Sequence, residues 1–271
     1  MKRTFWKNVL RTLRSTMSRF LAIFAIVALG VGFLAGLLAS PDDMRLSADR
    51  YYDDYNIYDF RVLSTLGLTD EDVQAVAELE GVEAVQAGKD MDLVTRTMEG
   101  DLYTTRLHTM AADGSDGINK IELVEGRLPQ APGECVVLQR HSFMAETQWV
   151  GQALTVEPAK EELPETLTVV GVAKSPLYFS MESERSQEGT GTVELPLVAT
   201  EDTVDTDYKT ALYVTVSGAR ELNAFTEEYD DVVQQVRDRL EELGPVRAKL
   251  RGDSLRAEGE EKLAEAQEAT F

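Results

Sequence analysis

Two histidines, His108 and His141, and one cysteine, Cys135, are all that this 271-residue sequence offers for imidazole or thiol chemistry. Cys135 and His141 stand six residues apart, a spacing at which a nucleophile and a base could meet. Cys135 sits, however, within Glu-Cys-Val-Val-Leu, the composition of a buried strand in which a thiol is structural and inert. Asp202, Asp205 and Asp207 supply closely spaced carboxylates, yet the glycine and the distal glutamate of a calcium loop are missing, and a solvated acidic loop is the plainer reading. Gly88-Lys89-Asp90 has the Gly-Lys pair of a phosphate-binding loop without its earlier glycine or its hydroxyl residue, so ATP binding is not expected. The chemistry-bearing residues thus predict no catalytic site, no cofactor and no metal, and a protein that is not an enzyme.

The elements around them are dominated by one run. Residues 20–39 are only Phe, Leu, Ala, Ile, Val and Gly. At about 1.5 Å per helical residue the run reaches about 30 Å, the thickness of a bilayer's hydrocarbon core, and it reads as a transmembrane helix. Lys2, Arg3, Lys7, Arg11, Arg14 and Arg19 precede it with no acidic residue, whereas Asp42 and Asp43 follow. Positive charge stays inside, which predicts a cytoplasmic N-terminus and an exported remainder. Removing those six charges from the net −21 leaves −27 from Phe20 onward, which argues against nucleic acid or an anionic headgroup surface as partner of the exported part. A cleaved signal peptide is the competing reading. Its apolar core is usually about 7 to 15 residues, and Leu37, Leu38 and Pro41 spoil the small-x-small cleavage pattern.

Before the run, Trp6, Val9, Leu10, Leu13, Met17 and Phe20 recur at helical spacing, with Lys7, Arg11, Arg14, Ser15 and Ser18 opposite. This predicts an amphipathic basic helix over 1–19 lying in the inner leaflet, the alternative being an unstructured basic tail. Inside the run, Gly32 and Gly36 form a G-x-x-x-G pair, and Ala25, Ala28, Ala35 and Ala39 add small positions. Such residues let helix backbones pack closely in lipid, although Gly and Ala are common in membrane helices generally.

Residues 41–250 read as one extracytoplasmic domain without a disulfide, since Cys135 has no partner in the chain. A strand at 57–63 precedes a helix capped by Thr69 and Asp72 and ended by Gly81; 82–98 looks extended and 101–110 pairs back as a hairpin around Glu99 and Gly100. Later, 211–216 forms a strand, Ser217 caps, and Leu222, Phe225, Tyr229, Val232, Val233, Val236, Leu240 and Leu243 mark a helix over 219–243. Gly244 and Pro245 should stop it, leaving 246–250 as a closing strand. The fold class expected is α+β: a split βαβ, ferredoxin-like lobe from about 50–112 and 208–250, and an inserted β-rich lobe over about 113–207. Within that insert, polar 183–191 reads as a mobile loop. Tyr51, Tyr52, Tyr55 and Tyr58 read as packing the join between span and domain, or else as a binding surface. Residues 251–271 start a long helix without a C-cap, as if a stalk were cut short.

This order of features resembles a family. Leu68-Thr69-Asp70, Leu79-Glu80-Gly81-Val82-Glu83-Ala84-Val85, Leu123-Val124-Glu125-Gly126-Arg127-Leu128-Pro129 and Gly133-Glu134-Cys135-Val136-Val137-Leu138 together look like the extracytoplasmic core domain of FtsX-like and MacB-like permease subunits of ABC transporters. The resemblance covers nearly the whole chain and is most specific at Glu-Gly-Arg-x-Pro followed by Gly-Glu-x-Val-Val. It implies a bacterial plasma-membrane protein whose partners are a cytoplasmic ABC ATPase, further permease helices in a dimeric permease, and the bilayer. It also implies a coiled-coil insertion beginning near Asp253. Such permeases have at least four spans and this sequence has one, so the sequence reads either as a truncated N-terminal piece or as a stand-alone single-pass sensor or binding module.

Overall fold

The computed structural model describes residues 5–7, 9, 11, 16–110, 117–139, 148–178 and 182–268. They fall into two units, Met1–Arg50 and Tyr51–Phe271.

The apolar run lies on helix α1, Met17–Asp54, and none of its residues is buried: Leu29 is 73% and Phe33 70% exposed. Among the described residues α1 alone is long and apolar enough to cross a membrane. The helix outlasts the run, continuing through Pro41 rather than giving way to the domain there. Proline removes one i→i−4 hydrogen bond, and the Met44, Arg45, Leu46, Ala48 and Arg50 that follow are residues of fair to good helix propensity. Of the basic helix expected over 1–19, Leu10, Leu13, Arg14 and Ser15 lie outside the described residues, as does His141.

The second unit contains strands β1 (Phe60–Leu68), β2 (Val82–Gly88), β3 (Met91–Arg96), β4 (Leu102–Met110), β5 (Glu122–Gly126), β6 (Glu134–Leu138), β7 (Ala153–Glu157), β8 (Thr166–Lys174), β9 (Leu195–Thr200) and β10 (Lys209–Val216). Helix α2 (Asp70–Ala77) joins β1 to β2, and α3 (Glu227–Glu268) follows β10. In the smaller sheet β10 lies between β1 and β2, antiparallel to both. β1 and β2 are therefore parallel, and α2 makes the crossover of a split βαβ unit. α2 begins where the sequence says it should. The Thr69 side chain accepts from the Asp72 N–H, and the Asp72 carboxylate accepts from the Thr69 N–H at 2.8 Å, a reciprocal cap of the kind worth about 1 kcal/mol. Leu68, Val76, Leu212 and Val214 form the core beneath, with Leu240 and Leu243 of α3 packed against them.

Three expectations need correction. Residues 246–250 are helical, because α3 runs through Gly244 and Pro245 to Glu268, so the sheet has three strands and lacks the fourth of a ferredoxin-like lobe. Leu240 and Leu243 anchor the helix on the core before the break, and Arg247 just after it binds Asp72 at 2.5 Å. Contacts on both sides outweigh the single hydrogen bond that Pro245 removes. At its other end, residues 219–221 form a separate 3-10 turn, and α3 starts only after Thr226, whose hydroxyl accepts from the Tyr229 N–H. Third, the lobes divide between β2 and β3, not near residue 112, since β3 and β4 belong to the larger sheet.

In that larger sheet β8, β6, β9, β4, β3 and β7 pair in succession, and β7 returns to β8. Six strands thus close into a small barrel, which leaves no free edge around the ring. β5 pairs with the far end of β8, at residues 171–174. Inward-facing Leu93, Leu107, Cys135, Val137, Leu154 and Leu195 fill the interior. Val136 and Leu138, one residue out of phase on β6, face a second cluster with Ala173, Tyr178 and Val198.

Candidate functional site at the joint between the sheets

The chain passes from the three-stranded sheet to the barrel at Gly88-Lys89-Asp90 and returns between β9 and β10. These same residues resemble a phosphate loop only in part; in the fold they are the joint. The Lys89 N–H donates to Thr109 Oγ1 at 2.8 Å, and its ammonium, on a residue 8% exposed, donates to Val204 O at 2.8 Å across to the returning segment. Asp90 accepts from Arg61 Nη2 (2.9 Å) on β1 and from Tyr213 Oη (2.7 Å) on β10, while its own carbonyl accepts from Thr210 Oγ1 at 2.9 Å. His108, on β4 of the barrel, completes the group: Nδ1 lies 3.0 Å from Asp90 Oδ1, and Nε2 lies 2.7 Å from Tyr178 Oη. The Nδ1 contact is close but off the line a hydrogen bond requires, so neither atom has an aligned partner.

Burial works to raise the pKa of Asp90, but His108, Tyr213 and Arg61 outweigh it and hold the carboxyl well below the usual carboxylate range. Burial and the adjacent Asp90 push the Tyr213 hydroxyl far above an ordinary tyrosine, and burial does the same to Tyr178. Both phenols are therefore neutral donors or acceptors at any physiological pH. Beside them Arg106 grips Asp92 with two hydrogen bonds of 2.6 and 2.9 Å and binds Glu184, whose carboxylate also lies 3.8 Å from Arg61. This network fastens strands together. Its imidazole faces a carboxylate and a phenol pinned neutral, which is not the geometry of an activated nucleophile.

Cys135 lies inside the barrel, fully buried, with its thiol pushed up to about 12 by desolvation, so it is protonated at neutral pH. Its suggested partner His141 is outside the described residues. Asp202 falls in a 3-10 turn and the Asp205 N–H donates to Glu162 O; among the described residues no set of three His, Cys, Asp or Glu is placed to hold a metal. Gly32 and Gly36 are exposed on α1, with open space where a Cβ would stand. Polar segment 183–191, expected to be a mobile loop, lies against β4, where Glu184 binds Arg106 and the Thr190 hydroxyl lies 3.0 Å from that of Thr104. The tyrosines pack within the domain, Tyr51 on Tyr55 (4.5 Å) and Tyr58 on Tyr213 (5.3 Å).

The most specific sequence motif has a structural explanation. Gly126 adopts φ +76° where a Cβ would overlap Val170 O, and Arg127 forms a two-pronged ion pair with Glu134 across the turn from β5 to β6. Glu134 also accepts from the Gln130 N–H at 2.9 Å. The Arg127 hydrogen bonds, with that backbone bond, bring its pKa down to about 2.

The group around Asp90 escapes sequence reading because its members come from five separate segments. Only one local sign was present: Arg106 and His108 are polar residues two apart inside an otherwise strand-like stretch, hence on one face.

Solved structures similar to this chain include three extracytoplasmic or permease domains. The extracellular domain of the noncanonic ABC-type transporter YknZ from Gram-positive bacteria aligns over 65% of this chain and 87% of its own, at 12% identity and a TM-score of 0.37. The periplasmic region of MacB from Actinobacillus actinomycetemcomitans aligns over 67% and 75%, at 12% identity and a TM-score of 0.39. A domain assigned to a permease protein from Porphyromonas gingivalis aligns over 64% and 70%, at 14% identity and a TM-score of 0.36. No protein-family model and no curated protein matches the chain.

Proposed function

We propose that the chain is the N-terminal part of the permease subunit of an FtsX-like or MacB-like ABC transporter, without enzymatic activity of its own. A partner ATPase in the cytoplasm hydrolyses ATP, α1 passes the resulting motion across the membrane, and the outer domain delivers it in export or mechanotransmission. The observation that carries this reading is α1 itself. One helix of 38 residues bears the exposed apolar run and extends past it to Asp54, six residues before β1. A helix that does not break between span and domain can transmit a tilt or a push, whereas a flexible tether cannot. The basic, acid-free N-terminus and the motifs quoted above support the orientation and the family.

The test has two parts. The genomic reading frame should continue past Phe271 into further spans, beside a gene for an ABC ATPase. In the assembled complex, Met44→Gly with Ala48→Gly should soften α1 outside the apolar run. The ATPase should then still turn over while nucleotide-dependent movement of the outer domain is lost. A reading frame that stops, or movement unaffected by the softened helix, would sink the proposal.

A further inference from the structure

Segment 182–192 reads Glu-Ser-Glu-Arg-Ser-Gln-Glu-Gly-Thr-Gly-Thr: it has no aliphatic or aromatic side chain, and none of its residues is buried. It belongs to neither sheet, its only regular pairing being the isolated bridge between Arg185 and Thr192. Yet it lies flat on the barrel. The Thr190 N–H donates to Thr104 Oγ1 at 2.8 Å, the Arg185 carbonyl accepts from Arg106 Nη2 at 2.9 Å, and Gly189 sits so close to β4 that a Cβ would overlap the Thr104 hydroxyl. Its Glu184 reaches both sheets. The same oxygen, Oε2, binds Arg106 of the barrel and lies 3.8 Å from Arg61 Nη1 of the three-stranded sheet.

We propose that segment 182–192 is a latch that locks the barrel to the three-stranded sheet, with Glu184 as its catch between Arg106 and Arg61. A strap that carries no apolar side chain and is held by polar contacts at the surface can release at a lower cost than a core strand, and its ion pairs weaken as salt rises. Releasing it frees Arg61 and Arg106 from their shared anion and leaves Asp90 as the main side-chain tie between the sheets. The purpose of such a lock, to set whether the two lobes transmit motion as one body, rests on the permease reading. The lock itself does not, and is tested without ATPase or nucleotide.

Glu184→Gln removes the charge of the catch with little change of shape; Gly189→Val instead lifts the strap off Thr104 and leaves every charge in place. In the full chain in detergent, amide exchange of 182–192 should quicken about tenfold or more in each variant. Spin labels at Glu83→Cys on β2 and Thr166→Cys on β8, both exposed positions, should report one narrow distance in the parent chain. The distribution should broaden or gain a second population in both variants and in about 1 M salt, where the Debye length is about 3 Å. Faster strap exchange with an unchanged distance would overturn the latch, since the strap would then come away without unlocking anything. So would a strap that already exchanges freely in the parent chain, or variants in which neither measurement moves.

Discussion

Replacing Asp90 by alanine tests whether the joint is a true ionic hub. The carboxylate side chain is 7% exposed and takes a hydrogen bond from Arg61 and another from Tyr213, while that of Arg61 is 20% exposed. Hydrogen bonds involving a charged group contribute about 1.5–3 kcal/mol each, and breaking a buried pair from one side costs about 3–5 kcal/mol because the remaining charge is left without compensation. A loss of about 4 kcal/mol is expected, a large part of the roughly 5–15 kcal/mol that holds a domain together. The assay is urea unfolding of the full chain in detergent. It follows the fluorescence of Trp149, which lies in the barrel interior at 3% exposure, in a Trp6→Phe background. With a slope of about 2–3 kcal/mol/M, the midpoint should fall by roughly 1.3–2 M. The second arm is Arg61→Met. If the hub is as described, the loss in the double variant should fall short of the sum of the two single losses, because both substitutions remove the same Asp90–Arg61 hydrogen bond, while Glu184 remains beside Arg61 in Asp90→Ala. A midpoint within about 0.3 M of the parent, or strictly additive losses, would refute the reasoning.

The remaining expectations concern protons, access and assembly. Since the folded-state pKa of Asp90 lies below its unfolded value, its stabilisation is complete above about pH 4 and is lost as pH falls through the lowered value; Asp90→Asn should flatten that acid limb of the stability profile. Cys135, buried and with its thiol pushed up to about 12, should resist a thiol reagent until the domain unfolds, which a timed colorimetric titration reads directly. Arg127→Ala should return the Glu134 carboxyl from about 2 toward the ordinary glutamate range, as followed by carboxyl NMR shifts. Gly32→Leu with Gly36→Leu should impair permease assembly and ATPase coupling; unchanged assembly would remove the case for close helix packing there.

How much could be read beforehand depended on whether the controlling interactions were local. The cap of α2 was legible because Thr69 and Asp72 are three residues apart and bond to each other, and the strand character of β6 was legible in its composition. The stop expected at Gly244-Pro245 does not occur because local propensity is opposed by packing from distant residues, Asp72 on one side and the β1–β10 core on the other. Closure of the barrel depends on β7 returning to β8, a pairing no periodicity announces. Low apolar content marks 183–191 as a loop but does not show where it lies, because its contacts with Arg106, Thr104 and Lys160 are polar and come from distant segments. The Asp90 hub was invisible for the same reason: each member is an unremarkable residue until β1, β4 and β10 bring them together.

Gly88 pairs with Ala211, and Ala87 with Leu212, so β2 and β10 run as the two arms of an antiparallel hairpin whose tip would fall at residues 89 and 210. The barrel is topologically the loop of that hairpin. Its two ends leave side by side, stitched by Thr210 to Asp90, so a short turn joining residues 89 and 210 in its place would cost the three-stranded sheet only the pairing of Leu68 with Lys209. The two sheets thus lie in one compact unit, yet in strand order one is an insertion into the other.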